Sequence, residues 1–315
     1  RGPTVQNLIN CQMSRFNKKG REVNGIVLLD KDSGLSSNSA LQKVKRLFFA
    51  KKAGHTGSLD PLASGILPIC LGQATKVAGL LLDDDKRYFV RGSLGYLTST
   101  GDCEGDIIET HKFEHLSKNE VLSAALSFVG HIKQIPPMYS ALKRDGTPLY
   151  KLARKGIEVE REPRDVVIHE INFIDYSNGI ITLDVKCSKG TYIRTLIEDI
   201  GKKLGCGAHV LELRRTGFAH IDISQTIKLA DLKKLESDDY SMLDEKIINT
   251  EDMLPKLSSV FLDEKQTIDI RLGRKVIDKS DTECGQVKMF DYKNKFIGIA
   301  LVNSDNVIST KRLFV

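Results

Sequence analysis

One carboxylate in this chain stands in a setting that could do chemistry. Asp60 lies in Gly57-Ser58-Leu59-Asp60-Pro61, within a turn-rich stretch that breaks periodicity. Pro61 biases Asp60 towards extended backbone, and Gly57 and Gly65 let the chain bend on either side. A loop held this way presents one carboxylate at a fixed point in a cleft. His55 lies five residues earlier. A second candidate is Lys189-Gly190-Thr191-Tyr192-Ile193-Arg194, which reads as a turn opening a helix. A guanidinium there could pair with a carboxylate elsewhere in the fold. Each candidate also has a plainer reading. Asp60 could brace a turn, His55 could be a surface or hydrogen-bonding histidine, and Arg194 could be an exposed helical arginine. Spacing does not choose between these. Neither 54–57 nor 189–190 matches a phosphate-binding loop, so nucleotide hydrolysis has little support.

The elements that must position these residues follow from periodicity. Residues 25–30 form an apolar run read as a buried strand. Ser36 or Ser37 caps the next helix, in which Ala40, Leu41, Val44, Leu47 and Phe48 recur at helical spacing while Lys43, Lys45 and Arg46 face elsewhere. Further strands are expected over 66–71, 87–94, 165–173, 180–187 and 208–214, and helices over 73–82, 117–128, 147–155, 191–204 and 227–235. The regular β-α-β alternation of a doubly wound sheet is missing. The fold class expected is α+β, on a mixed, mostly antiparallel sheet. Short strands over 286–290, 296–301 and 307–309 suggest a small β-rich module at the end of the chain.

Composition bounds the function classes. The chain has 315 residues, 41% hydrophobic and 28% charged, which fits a soluble protein of two domains. No apolar run approaches the roughly 18 residues that span a bilayer, so no membrane partner is expected. The net charge of +6 is modest, but its distribution is not even. Ten Lys and Arg face three acids over 15–52, whereas eight acids face three lysines over 231–252. This suggests a polyanion-facing first part and an acidic connector near a domain boundary. None of the six cysteines forms a C-x-x-C pair, and no His pair has zinc-ligand spacing. Reduced thiols, a cytoplasmic location and no structural metal are expected.

Several motifs in fixed order then carry a resemblance. Gly54-His55-Thr56-Gly57-Ser58-Leu59-Asp60-Pro61-Leu62-Ala63-Ser64-Gly65 resembles the catalytic segment of TruB-type tRNA pseudouridine synthases. Val27-Leu28-Leu29-Asp30-Lys31, Asp85-Lys86-Arg87-Tyr88, the stretch from Pro136 to Lys143, the stretch from Cys187 to Arg194, and Leu213-Arg214-Arg215 agree in the same order. The likeness runs from about Met13 to Arg215, then weakens. It implies a pseudouridine synthase domain over 13–250 and a PUA-like module over 251–315; residues 1–12 are read as a non-native or upstream extension, with Met13 a sensible native start. The implied reaction isomerises the uridine at position 55 in the T-arm of tRNA, with no cofactor and no metal. The implied catalytic residues are Asp60, Tyr88 and Arg194, and His55, Tyr88, Tyr192 and Leu213 are the implied substrate contacts. Asp102 aligns with a further acidic position.

A carboxylate fits this reaction because glycosidic cleavage puts positive charge on the sugar. It must be ionised, and Arg194 beside it should lower its pKa. The uridine must be flipped out of its loop, where Tyr88 could stack on it and His55 could fill the gap. Lys43, Arg46, Lys51, Lys52, Arg214 and Arg215 are candidate phosphate contacts. The 135–164 segment is expected to close on the T-loop. A monomer is expected, and help with tRNA folding could coexist with catalysis. A non-catalytic RNA-binding protein and a uracil-releasing hydrolase are the rival readings.

Overall fold

The computed structural model describes residues 20–314, so the expectations for 1–12 and Met13 lie outside the described residues. In chain order the strands are β1 Gly25–Lys31, β2 Ala53–His55, β3 Ser64–Leu71, β4 Lys86–Leu94, β5 Tyr96–Thr98, β6 Ile107–Thr110, β7 Gly130–Gln134, β8 Lys143–Arg144, β9 Thr147–Pro148, β10 Arg164–Ser177, β11 Ile180–Cys187, β12 Ala208–Phe218, β13 Ile221–Asp222, β14 Ile227–Lys228, β15 Ser258–Phe261, β16 Val276–Ile277, β17 Gly285–Phe290, β18 Phe296–Val302 and β19 Val307–Leu313. The longer helices are α1 Ser37–Leu47, α2 Lys118–Leu126, α3 Ile193–Lys203 and α4 Glu264–Arg271.

A ten-stranded sheet runs β14-β1-β3-β12-β4-β11-β10-β7, with β2 beside β3 and β13 beside β12. The β14–β1 and β12–β3 pairs are parallel and the remaining pairs antiparallel, which is the mixed, mostly antiparallel α+β domain expected. A separate sheet, β15-β17-β18-β19-β16, forms the β-rich C-terminal module.

Strand β1 is buried throughout, and its alternation explains why. Val27 and Leu29 point to one face, where they pack with Ala40, Val44 and Leu47 of α1 and with Leu196 and Ile200 of α3 in one core. Ile26 and Leu28 point to the other, joining Ile66 and Cys70 of β3 with Phe296 and Ile299 of β18. The catalytic sheet therefore has helices on one side and the C-terminal module on the other. Ser36 caps α1 by accepting from the Ser39 amide, which removes an unpaired N–H at the helix start.

Some expected elements change in the structure. Over 73–82 a 3-10 turn at Gly72–Lys76 and a single turn at Ala78–Leu81 replace one helix, and the break falls at Val77, whose φ of −107° and ψ of 0° lie off the helical region. The helix expected over 147–155 spans only Leu149–Ala153, since Thr147 and Pro148 pair with Lys143 and Arg144 in a small hairpin. Ile227 and Lys228 extend the sheet beside β1 before a short helix begins at Leu229.

Candidate active site

Asp60 sits on the loop between β2 and β3, and the segment from β1 to α1 staples that loop in place. Ser37 Oγ donates to the Leu59 carbonyl at 2.9 Å, and the Leu59 amide donates back to it at 2.8 Å. The Gly34 amide reaches the Pro61 carbonyl at 2.8 Å, and Ser33 Oγ reaches that of Leu62 at 2.8 Å. Lys31, only 1% exposed, donates to the carbonyls of Leu35 at 2.6 Å, Asp32 at 3.0 Å and Pro61 at 3.4 Å. Burial pushes its ammonium down to about 8, with Asp60 opposing the shift. At the far end of the loop, Gly65 has φ +102° and lies beside Arg215 in the β3–β12 pairing. A Cβ there would meet the Arg215 carbonyl oxygen at 2.2 Å, so only glycine fits.

Arg194 reaches Asp60 from the first turn of α3. Its Nε lies 2.9 Å from Asp60 Oδ2, Nη1 donates to the Thr100 carbonyl at 2.8 Å, and Nη2 donates to the Tyr139 carbonyl at 2.7 Å. Asp102 adds a longer pairing, 3.5 Å from Nη1. The guanidinium is thus committed on all sides, and it fixes the carboxylate's direction. Asp102 is buried and held by Thr100 Oγ1 at 2.6 Å and the Glu104 amide at 3.1 Å. The Asp60 side chain keeps 40% of its surface open at the mouth, while the rest of its shell is protein. Burial in that shell raises its pKa above the ordinary value; Arg194 opposes the rise and Asp102 adds to it. This corrects the expectation that Arg194 would set the net shift, because desolvation outweighs the pull of Arg194 and Lys31.

Tyr88 stands two strands from β3. It pairs across β4–β12 with Arg215, which pairs in turn with Gly65. Burial raises the pKa of its hydroxyl and the Arg215 guanidinium opposes this, so Tyr88 is a neutral phenol at neutral pH. His55 is half-buried, and its Nδ1 is buried with no hydrogen-bond partner among the described residues. Burial and Arg215 both lower its pKa, keeping the ring neutral. Tyr192 precedes α3, with its backbone held on both sides by the Gln134 amide at 3.0 and 3.2 Å. Leu213 is buried on β12, opposite Val90 of β4.

The expected phosphate contacts divide. Arg46 and Lys52 are exposed, Lys43 is half-exposed, and Lys51 is exposed but pairs with Glu22 at 2.8 Å. Arg214 and Arg215 do not belong with them. Arg214 makes a two-pronged pair with Asp30, at 3.0 and 2.8 Å, next to the loop. Arg215 is 1% exposed and spends its guanidinium on the carbonyls of Ile66 and Gly57, both at 2.7 Å. Both arginines brace the site rather than face a polyanion. Lys31, Ser37 and Gln134 are positioning residues that the sequence reading missed. Only Lys31 carried a signal, as a charge closing an apolar run.

Among the described residues no group of three or more His, Cys, Asp or Glu side chains could hold a metal ion, and no helix is long and apolar enough to cross a membrane. The arrangement offers a fixed, partly exposed carboxylate, a neutral phenol on β4 and a neutral imidazole at the end of β2.

Comparison with known proteins identifies the family. Residues 45–193 match the TruB family pseudouridylate synthase N-terminal domain. Residues 194–255 match the tRNA pseudouridylate synthase B C-terminal domain, and 258–314 the C-terminal domain of pseudouridine synthase II TruB. The tRNA pseudouridine synthase B of Haemophilus influenzae (strain 86-028NP) is 50% identical over 303 residues, covering 96% of this chain and 98% of that protein. The protein of the same name from Coxiella burnetii (strain RSA 493 / Nine Mile phase I) is 48% identical over 294 residues, covering 93% and 95%. Two solved structures share the fold at a TM-score of 0.69. One is an H/ACA RNP bound to a substrate RNA containing 2′-deoxyuridine, 21% identical, and the other a Cbf5-Nop10-Gar1 complex, 23% identical; each covers 96% of this chain and 87% of its own. Fold and site define an isomerase of the pseudouridine synthase class. The chain belongs to the TruB family.

Proposed function

We propose that the enzyme converts uridine to pseudouridine at position 55 in the T-arm of tRNA. Near-full-length relatives named tRNA pseudouridine synthase B, at about half identity, support the substrate. The observation that carries the chemistry is the Asp60 carboxylate held on the Arg194 fork at an open mouth.

In this reading the uridine leaves its loop and enters the cleft, at a cost of a few kcal/mol of stacking. Tyr88 stacks on the extruded base and His55 fills the space it leaves. The N1–C1′ bond breaks, and Asp60 stabilises or captures the positive sugar. The base turns, C5 bonds to C1′, the C5 proton leaves and N1 takes up a proton. Product and substrate have the same atoms, so no co-reactant is needed. Arg46 and Lys52 contact phosphate, the 135–163 insertion covers the T-loop, and the C-terminal module acts as a PUA-like RNA contact. The test incubates unmodified tRNA with wild type and with Asp60→Asn, then maps pseudouridine. Product at one T-arm uridine with wild type alone is expected. Conversion by Asp60→Asn would overturn the role of the carboxylate. Abasic sites would point instead to a hydrolase, and binding without product to a non-catalytic protein.

A further inference from the structure

Glu198 lies on α3 one turn after Arg194, so the two side chains leave the same helix face. Its carboxylate packs on Gly101, where an added Cβ would lie 2.7 Å from Oε1. Charged groups face it from three elements: Arg194 and Asp199 on α3, Asp102 in the loop after β5, and Arg161 in the insertion between β7 and β10. Despite these neighbours, half-buried Glu198 makes no hydrogen bond or close ion pair among the described residues.

Arg161 has the complementary gap. Nη1 donates to the Pro136 carbonyl at 3.2 Å and Nη2 to Glu158 at 3.3 Å, but Nε is buried with no acceptor. An unused buried donor is costly, and so is a partly desolvated carboxylate without a partner. The two lie within electrostatic reach of each other. The insertion also needs an anchor. Between 141 and 163 only Leu149 is buried, so little packing holds the segment in place. Its hydrogen bond to the site among the described residues is the Tyr139 carbonyl on Arg194, next to the Gln134–Tyr192 pair at the end of β7.

We propose that Glu198 is a positioning residue: once ionised, its carboxylate takes Arg161 and seats the insertion beside the Asp60 cleft. The proposal rests on the reading of the insertion as RNA-facing. Burial pushes Glu198 up to about 7 against the pull of Arg194 and Arg161, with Asp199 and Asp102 adding to the rise. The carboxyl is neutral below that pH and ionised above it, so the anchor engages as pH rises through neutrality.

Hydrogen–deuterium exchange over 141–162 in the free full-length protein tests this without RNA. At pH 8, Glu198→Gln should speed exchange about fivefold and Arg161→Gln at least as much, since it also loses the Pro136 and Glu158 bonds, and the double variant should go no further than Arg161→Gln, because the shared contact is already gone. At pH 6, wild type and Glu198→Gln should match, and Glu198→Asp should restore protection at pH 8. With tRNA, the same single variants should raise KM about fivefold and leave kcat within about twofold of wild type. Unchanged protection in Glu198→Gln at pH 8, or additive effects in the double variant, would overturn the proposal. If Glu198→Gln fails to fold, Arg161→Gln in the sparsely packed insertion decides by the same pH 8 comparison. A wild type that leaves tRNA uridine intact would fail the functional reading, while the exchange result would still decide the anchor.

Discussion

Arg194→Lys keeps a positive charge at the site and removes the fork. The guanidinium binds Asp60, the Thr100 carbonyl and the Tyr139 carbonyl at 2.7–2.9 Å, with Asp102 further off. A lysine ammonium is a single point on a flexible stem and cannot serve three diverging acceptors. At least two charge-assisted bonds are lost, each worth about 1.5–3 kcal/mol. Part of that loss falls on the fold, through two carbonyls left without their donor. Asp60 is partly open to water, which takes over some of its pairing. About 2–3 kcal/mol is left to appear in the chemical step, slowing it about 30- to 200-fold. The tritium of [5-³H]uridine tRNA is released when C5 becomes the glycosidic carbon, so single-turnover release at saturating enzyme reads the steps between binding and loss of that hydrogen, free of product release. Arg194→Met should be slower still, because it leaves the buried Asp102 without a cation. If Arg194→Lys folds normally and reacts within about threefold of wild type, charge suffices and the argument from fixed orientation is wrong.

Three further outcomes follow from the geometry. Because burial raises the Asp60 pKa, ionising it opposes folding as pH rises, so Asp60→Asn should melt higher than wild type at pH 7 while losing activity; wild-type turnover should fall on acidification with a midpoint above that of an ordinary aspartate. Differential scanning calorimetry and a pH–rate profile check the two halves. Gly65→Ala meets the Arg215 carbonyl at 2.2 Å with φ at +102°, a conflict worth about 3 kcal/mol or more, and should lower the melting temperature by about 5–10 °C. Arg46→Gln combined with Lys52→Gln should reduce the slope of log affinity against log salt by about 1.5, whereas Arg214→Gln, which breaks the internal pair with Asp30, should leave that slope unchanged and cost stability.

What could be read from the sequence follows the range of the interactions involved. The strand at β1 and the helix α1 show up as local apolar patterns because each buries a repeating face. Strand β6 does not, since Ile107 and Ile108 are both exposed and alternate with nothing. Helix α4 shows only weak amphipathicity, and its Asp263–Gln266 capping box was the available cue. Within the site, Asp60 and Arg194 stand in recognisable motifs. Ser37, Lys31 and Gln134 act through backbone groups 22, 30 and 58 residues away, which no local spacing displays. Arg214 and Arg215 look like surface cations by type, and only the pairing of β12 with β3 and β4 shows that they are internal.

Strand β3 leaves the Asp60 loop and β1 pairs beside it, and the far face of both is closed by Phe296 and Ile299 of β18. Lys76 donates to the Leu313 carbonyl at 2.6 Å across the same junction. The C-terminal module and the catalytic sheet therefore share one core at their junction and should melt in a single transition. Cutting the chain after Pro255 to ask what the module adds to RNA affinity would strip the lining from the strand that follows the carboxylate loop and from its neighbour β1. Loss of activity in such a truncation would measure a broken core, and only point changes on the module's exposed surface can separate RNA contact from support of the site.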